Sequence, residues 1–361
     1  MTRRFLARLG LLIATVAVLL GAFELGLRAF WGGFYLKGDR TYLTSNATRG
    51  WANRPSTTAV YGEAEYHVTV SNNALGFRGK EVAPAKPPGS ARVLVLGDSF
   101  TYGIGVADDE TFSARLAALD PRADVLNTGV NGYGTAQELL LLRDQGLALR
   151  PDVVVVAFFW NDVGNSFSRS FPRFVLEDGT LRWPEPLASA PPQVAAPRRP
   201  WLRYSHAYRF LSDRLKLASF RIKLLLGLPL ETTDFVNESD RDAAWQLSAE
   251  LLRAIRDQAG SVGARTVLAI IPDQVQVEEG VTVVGLDPAD YEVQPRMRQV
   301  CERLGIPVID LLPPLREAYA TDGQALYYPK DRHLNARAHA VVARALRAEL
   351  AGLDLLPPVE R

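Results

Sequence analysis

Ser99 heads the chemistry available to this sequence. It lies in the run RVLVLGDSFTYGIG, residues 92–105, where Val93, Leu94, Val95 and Leu96 lead to Gly97, Asp98 and Ser99. An apolar, β-branched run of that length predicts a buried strand. A serine at the turn beyond it stands at the carboxyl edge of a parallel sheet, where open α/β folds bind their ligands. Gly-Asp-Ser is also ordinary turn chemistry, so the assignment depends on what else converges on that edge. A hydroxyl is a weak nucleophile near neutral pH. It needs a base and a third group to orient the base. Of the four histidines, His333 is the candidate base, in the loop before the last helix, with Asp331 two residues ahead to set its tautomer. His339 falls within a helical pattern, His67 in an N-terminal segment and His206 in an insertion.

An oxyanion formed by such an attack needs donors aimed at where its charge develops. The backbone N–H of Ser99 is one. Gly132, in the loop NTGVNGYG after a second strand, offers another. The side-chain amide of Asn161, immediately after the apolar run 153–159, is the third. Singly these are ordinary loop or helix-capping residues; together they mark the ends of several strands on one edge.

The elements that must bring them together alternate. Strands are expected at 92–96, 123–127, 152–159, 265–271 and 306–310, with helices at 111–119, 134–149, 240–260, 288–304 and 336–350. The third strand is apolar throughout, as burial on both faces requires. Five strands alternating with helices predict a parallel sheet covered on both sides. The single cysteine, Cys301, lies in a helical pattern and is expected to be a buried structural thiol. Residues 165–237 interrupt the third crossover. They hold a Pro-rich stretch and then a basic, apolar one that includes Arg214, Lys216, Arg221 and Lys223. A lid or substrate wall, a surface excursion and a membrane-surface contact are the readings of this insertion.

The blocks GDSFTYG, NTGVNGYG, FWND and DRHLN, in this order, resemble the four blocks of the SGNH (GDSL-type) hydrolases, over residues 92–350. NALGFRG followed by GDSFTYGIGV is similar to a bacterial, membrane-anchored subgroup. The resemblance implies a three-layer, flavodoxin-like α/β/α domain that needs no metal or cofactor. By position it makes Ser99 the nucleophile, His333 the base, Asp331 the acid, and Ser99, Gly132 and Asn161 the oxyanion hole. One feature departs from the family pattern. The usual last block is Asp-x-x-His, whereas only Arg332 separates Asp331 from His333. A similar Asp-x-His spacing occurs in relatives that move acetyl groups onto polysaccharides.

The N-terminus predicts a location. Arg3, Arg4 and Arg8 precede an uncharged run over 9–23, and apolar character resumes after Glu24. With no small-residue pair where a peptidase would cut, residues 1–36 read as an uncleaved signal anchor, with Trp31, Phe34 and Tyr35 at the outer interface. Basic residues ahead of the span keep the N-terminus in the cytoplasm. The expected organisation is an anchor over 1–36, an extracytoplasmic stem over 37–90 and the hydrolase domain over 91–361. The location expected is the bacterial cytoplasmic membrane, single-pass. A net charge of +1, from 41 basic and 40 acidic residues, gives no footprint for nucleic acid. The first expectation is an esterase that removes O-acyl, foremost O-acetyl, groups from a cell-surface glycan or a related ester. The alternatives are an O-acetyltransferase working with polysaccharide-assembly proteins, and a non-catalytic glycan-binding subunit on the same fold.

Overall fold

The computed structural model describes residues 3–30, 40–63, 65–167, 174–185, 205–225, 240–281 and 293–356. It begins with α1 (Arg3–Phe30), whose apolar side chains are exposed along most of its length; Leu27 is buried. Among the described residues this is the one helix long and apolar enough to cross a membrane. Trp31, Phe34 and Tyr35 lie outside the described residues.

The described part of the segment expected to be a stem is folded. It forms two antiparallel hairpins, β1 (Leu43–Asn46) with β2 (Gly50–Asn53) and β3 (Thr57–Gly62) with β4 (His67–Asn72). The aromatic residues that fold this segment follow no single period. Tyr42, Trp51, Tyr61, Tyr66, Val70 and Phe77 are buried in the same apolar cluster as Leu94 and Leu96 of the first core strand. Arg78, 5% exposed, sends its guanidinium to the carbonyls of Tyr102 at 2.7 Å, Gly103 at 2.5 Å and Val106 at 2.5 Å, and to Asp108 at 2.9 Å. A buried cation satisfied at this many points holds the loop beyond Ser99 against the hairpins.

The core alternates as expected. β5 (Ala91–Gly97) is followed by the short α2 (Ser99–Tyr102), α3 (Phe112–Leu119), β6 (Ala123–Asn127), α4 (Thr135–Leu141) and β7 (Val153–Phe158). Then come α5 (Asn161–Phe167), the hairpin β8 (Val175–Glu177) and β9 (Thr180–Arg182), α6 (His206–Leu225), α7 (Arg241–Gly260) and β10 (Arg265–Ile270). The chain closes with α8 (Gln274–Val277), α9 (Val293–Leu304), β11 (Val308–Asp310), α10 (Leu312–Asp322) and α11 (Ala336–Gly352). The five-stranded sheet runs β11-β10-β7-β5-β6, parallel throughout. That is the flavodoxin-like order, whose reversal point lies between β5 and β7. Alternate residues of each strand enter opposite layers. Leu94, Leu96, Val154, Val156 and Phe158 pack with α4, α7 and α9, while Val93, Val95, Val153, Val155 and Ala157 pack with α3, α10 and α11.

Two differences from the sequence reading have local causes. The helix expected over 134–149 is α-helical only to Leu141, then widens through Leu142–Gly146 and tightens through Leu147–Leu149. Gly146 packs so close to Leu94 that a Cβ would stand 2.8 Å from its Cδ2. α10 was not foreseen: two prolines at its start mask the helical pattern, although Pro in the first turn is compatible with a helix. Of the insertion, only 165–167, 174–185 and 205–225 are described, so most of the Pro-rich stretch over 183–200 lies outside them, as does the expected start of α9 at residue 288. Glu24, which breaks the apolar run of α1, has a structural partner. Its carboxylate accepts from Ser205 Oγ at 3.0 Å and from the N–H groups of His206 at 2.9 Å and Ala207 at 2.8 Å, capping α6.

Candidate active site

Ser99 stands where the sequence put it, at the first residue of α2, immediately beyond the carboxyl end of β5. Gly97 permits this sharp exit, because a Cβ there would stand 2.1 Å from Thr101 Oγ1. Asp98 then caps the turn, its Oδ1 accepting from the N–H of Phe100 at 2.8 Å. Ser99 Oγ lies 2.7 Å from His333 Nε2. On the other side of the ring, His333 Nδ1 is hydrogen-bonded to Asp331 Oδ1. The Phe100 ring, centred 4.8 Å from the imidazole, supports its face.

α10 lies between the fifth strand and His333. His333 reaches the edge on a tight loop between α10 and α11. Tyr327 and Leu334 pair across this loop, Tyr328 N–H donates to the His333 carbonyl at 2.9 Å, and Asn335 N–H donates to the Leu326 carbonyl at 2.9 Å. From below, one oxygen of the buried Glu278 accepts the N–H groups of Leu326 at 2.6 Å and Tyr327 at 3.0 Å. The shortened Asp-x-His spacing is met by the backbone: Arg332 adopts φ +69, a left-handed conformation uncommon outside glycine and typical of functional loops. That twist presents Asp331 and His333 to each other across one residue. Arg332 pairs with buried Asp273, which also accepts from Trp160 Nε1 at 3.0 Å.

Asn161 follows β7, across the reversal point of the sheet from Ser99. Its Nδ2 donates to Asp98 Oδ2 at 3.2 Å. An amide carries two N–H donors, and the one engaged by Asp98 fixes the direction of the other. Gly132 is exposed in the otherwise largely buried loop after β6, with φ +79, supported by Trp51, whose Nε1 donates to the Asn131 carbonyl at 2.9 Å. The five residues singled out in the sequence therefore occupy one edge of the sheet, and three of them form a continuous hydrogen-bonded chain.

The electrostatics beneath this edge are unusual. Asp98, Asp162 and Glu138 are buried, and burial pushes all three carboxyls up, Glu138 and Asp162 well above the ordinary carboxylate range. For Asp98 the hydrogen bonds from Phe100 and Asn161 and the charge of His333 offset part of this. Asp331 moves the other way. Burial raises it, but the hydrogen bond and charge of His333, with the hydroxyl of Tyr66, outweigh that and hold it below the usual value. An acid kept ionised beside an imidazole is suited to orient it and to stabilise an imidazolium.

The remaining candidates play structural parts. His339 is buried in α11, its Nδ1 accepting from Phe112 N–H at 3.0 Å, and burial pulls it down to about 3. His67 is exposed at the start of β4, and His206 lies at the start of α6 beside Glu24. Cys301 is buried in α9, its thiol pushed up to about 12 by burial. Sequence reasoning missed Asp98, whose capping role was legible in Gly-Asp-Ser. It also missed the Trp160–Asp273–Arg332 linkage and the contacts of Glu65 and Tyr66 with the His333 loop; no local signal announced these.

The model of the GDSL-like Lipase/Acylhydrolase family matches residues 95–341. No curated protein matches the chain. Among solved structures, the chain is similar to a putative lipolytic protein of the G-D-S-L family from Desulfitobacterium hafniense DCB-2, with 13% identity over 72% of this chain and 99% of that one and a TM-score of 0.41. A member of the same family from Veillonella parvula DSM 2008 shares 13% identity over 73% and 99% of the two chains, with a TM-score of 0.42. The acetyl xylan esterase AlAXEase shares 11% identity over 72% and 99%, with a TM-score of 0.42.

Proposed function

Because the chain belongs to the GDSL-like lipase/acylhydrolase family, we propose that it is a serine esterase that removes O-acyl, foremost O-acetyl, groups from a cell-surface glycan or a related ester. The observation that carries this reading is the chain Asp331–His333–Ser99, hydrogen-bonded end to end beside the Asn161 amide. In the proposed reaction His333 Nε2 takes the proton of Ser99 as Oγ attacks the ester carbonyl. The N–H groups of Ser99 and Gly132 and the Asn161 amide receive the oxyanion. The intermediate collapses with the alcohol leaving, protonated by the His333 imidazolium, and acyl-Ser99 remains. Water, deprotonated by His333, then attacks the acyl carbon and releases the carboxylic acid and free Ser99. Asn161→Ala is expected to lower kcat by about 10²–10³-fold, the scale of one oxyanion donor. Steady-state rates on p-nitrophenyl acetate check it, and an unchanged kcat would remove Asn161 from the oxyanion hole.

A second reading, transfer of the acetyl group to a sugar hydroxyl, is favoured by the Asp331-Arg332-His333 spacing. The same acyl-Ser99 serves both outcomes; only the acceptor differs. The full chain in a non-ionic detergent, given p-nitrophenyl acetate with and without an O-deacetylated glycan, separates them. Nitrophenolate release with acetate left in solution supports the esterase, and acetate recovered on the glycan supports the transferase. Silence in both channels supports a glycan-binding subunit instead. The exposed apolar α1, with three arginines at its N-terminal end, supports a single-pass anchor with the enzyme outside the cytoplasmic membrane. Protease added to intact spheroplasts should then destroy the activity, and protection of the activity would reverse the orientation.

A further inference from the structure

We propose that Tyr66, with Glu65 beside it, is a positioning residue for the acid of the active site, so that the hairpin β3–β4 belongs to the working centre. The inference rests on the reading of Ser99, His333 and Asp331 as the reacting triad. Tyr66 Oη donates to Asp331 Oδ2 at 2.9 Å, while the other carboxylate oxygen of Asp331 holds His333 Nδ1. The carboxylate is thus gripped at both oxygens and cannot rotate about its last torsion. Glu65 fixes the backbone beneath it: its Oε2 accepts from the N–H groups of Lys330 at 2.9 Å and Asp331 at 2.8 Å. Two consecutive residues of the hairpin therefore hold the side chain and the main chain of the same acid.

The surroundings of Tyr66 keep it in that place. It is 7% exposed, with its ring centred 4.8 Å from Tyr328 and 6.0 Å from Tyr61. Gly105, in the loop beyond Ser99, makes room for it: a Cβ there would stand 3.0 Å from Tyr66 Cδ1 and 2.6 Å from Tyr328 Cε2. Tyr328 Oη in turn donates to the Gly105 carbonyl at 2.7 Å. Tyr66 thus touches the serine-side loop and the histidine-side loop at once. Burial, then the charge of Asp331, push its phenol up, so it stays a donor across the working pH range. The need for such a clamp follows from the spacing. With one residue between acid and base, Asp331 sits beyond the left-handed turn at Arg332, and its two contacts with the hairpin hold it there. Both hairpin residues precede the family match, which begins at residue 95.

The test uses the full chain in a non-ionic detergent with p-nitrophenyl acetate. Tyr66→Phe keeps the ring and its packing and removes only the donor. Its kcat is expected to fall by roughly tenfold, the scale of one charge-assisted hydrogen bond, with KM and the melting temperature unchanged. In an Asp331→Asn background the same change should cost less than about twofold, because residues acting through one another are not additive. Glu65→Ala is expected to show the same non-additivity. A Tyr66→Phe enzyme with the wild-type kcat, or losses that multiply independently of Asp331, would overturn the proposal. Ser99→Ala separates it from the reading beneath it. Activity surviving in Ser99→Ala removes the triad, whereas an inert Ser99→Ala beside an unimpaired Tyr66→Phe removes only the role of the hairpin.

Discussion

Ser99→Ala is expected to abolish ester turnover, with kcat falling by about 10⁴–10⁶-fold toward the level that binding and oxyanion donors alone sustain. The change removes one oxygen whose partner is His333 Nε2. It leaves the Asp98 cap on Phe100 and the apolar strand β5 in place, so the fold should not suffer. Nitrophenolate release by the purified variant, read beside its melting curve, is the measurement. Loss of activity at an unchanged melting temperature assigns the nucleophile. Retained turnover would dismiss Ser99 and with it the acyl-enzyme route.

Asp331→Asn carries the second-largest expected loss, about 10⁴-fold in kcat. Here the reason is orientation rather than bond making. Asp331 accepts from His333 Nδ1 and from Tyr66 Oη at once, and a carboxylate can accept both. An amide replaces one acceptor by a donor. It must either face Tyr66 with its NH₂ or turn the NH₂ toward His333, which favours the wrong imidazole tautomer and points the lone pair away from Ser99. The carboxylate also stabilises the imidazolium formed as Ser99 attacks, and the amide does not. KM should change little, since Asp331 is not expected to touch substrate. A variant within a few-fold of wild type would mean that another group orients His333.

The two losses differ in how legible their causes were. Ser99, His333, Asp331, Gly132 and Asn161 could all be named from the sequence because each lies beside a recognisable local signal. Ser99 and Asn161 border apolar strands buried on both faces, which read as continuous runs; Gly132 lies in the glycine-rich loop after β6, and Asp331 and His333 precede a helix with a clear apolar period. The Asp-x-His spacing departs from the family pattern. The left-handed turn at Arg332 accommodates it, and no residue-type rule predicts an arginine there. The folding of the segment over 40–77 left no such signal either. Tyr42, Trp51, Tyr61, Tyr66 and Phe77 follow neither a helical nor a strand period, because each is placed by a partner in the core rather than by its neighbours in sequence.

By itself, then, the sequence determined the five strands of the parallel sheet, their alternation with helices, and the identities of five residues at its edge. Those are local properties: hydrophobic period, turn residues, and the short distance from a strand end to the residue after it. Only the tertiary structure decided what holds that edge in register. Asp98 reaches Asn161 across the reversal point, 63 residues away, and Tyr66 reaches Asp331 across 265. Glu24 finds its role in capping a helix that begins 182 residues later. Such contacts form when folding brings distant segments together, so their geometry depends on the packing of the whole core and leaves no periodic trace along the chain.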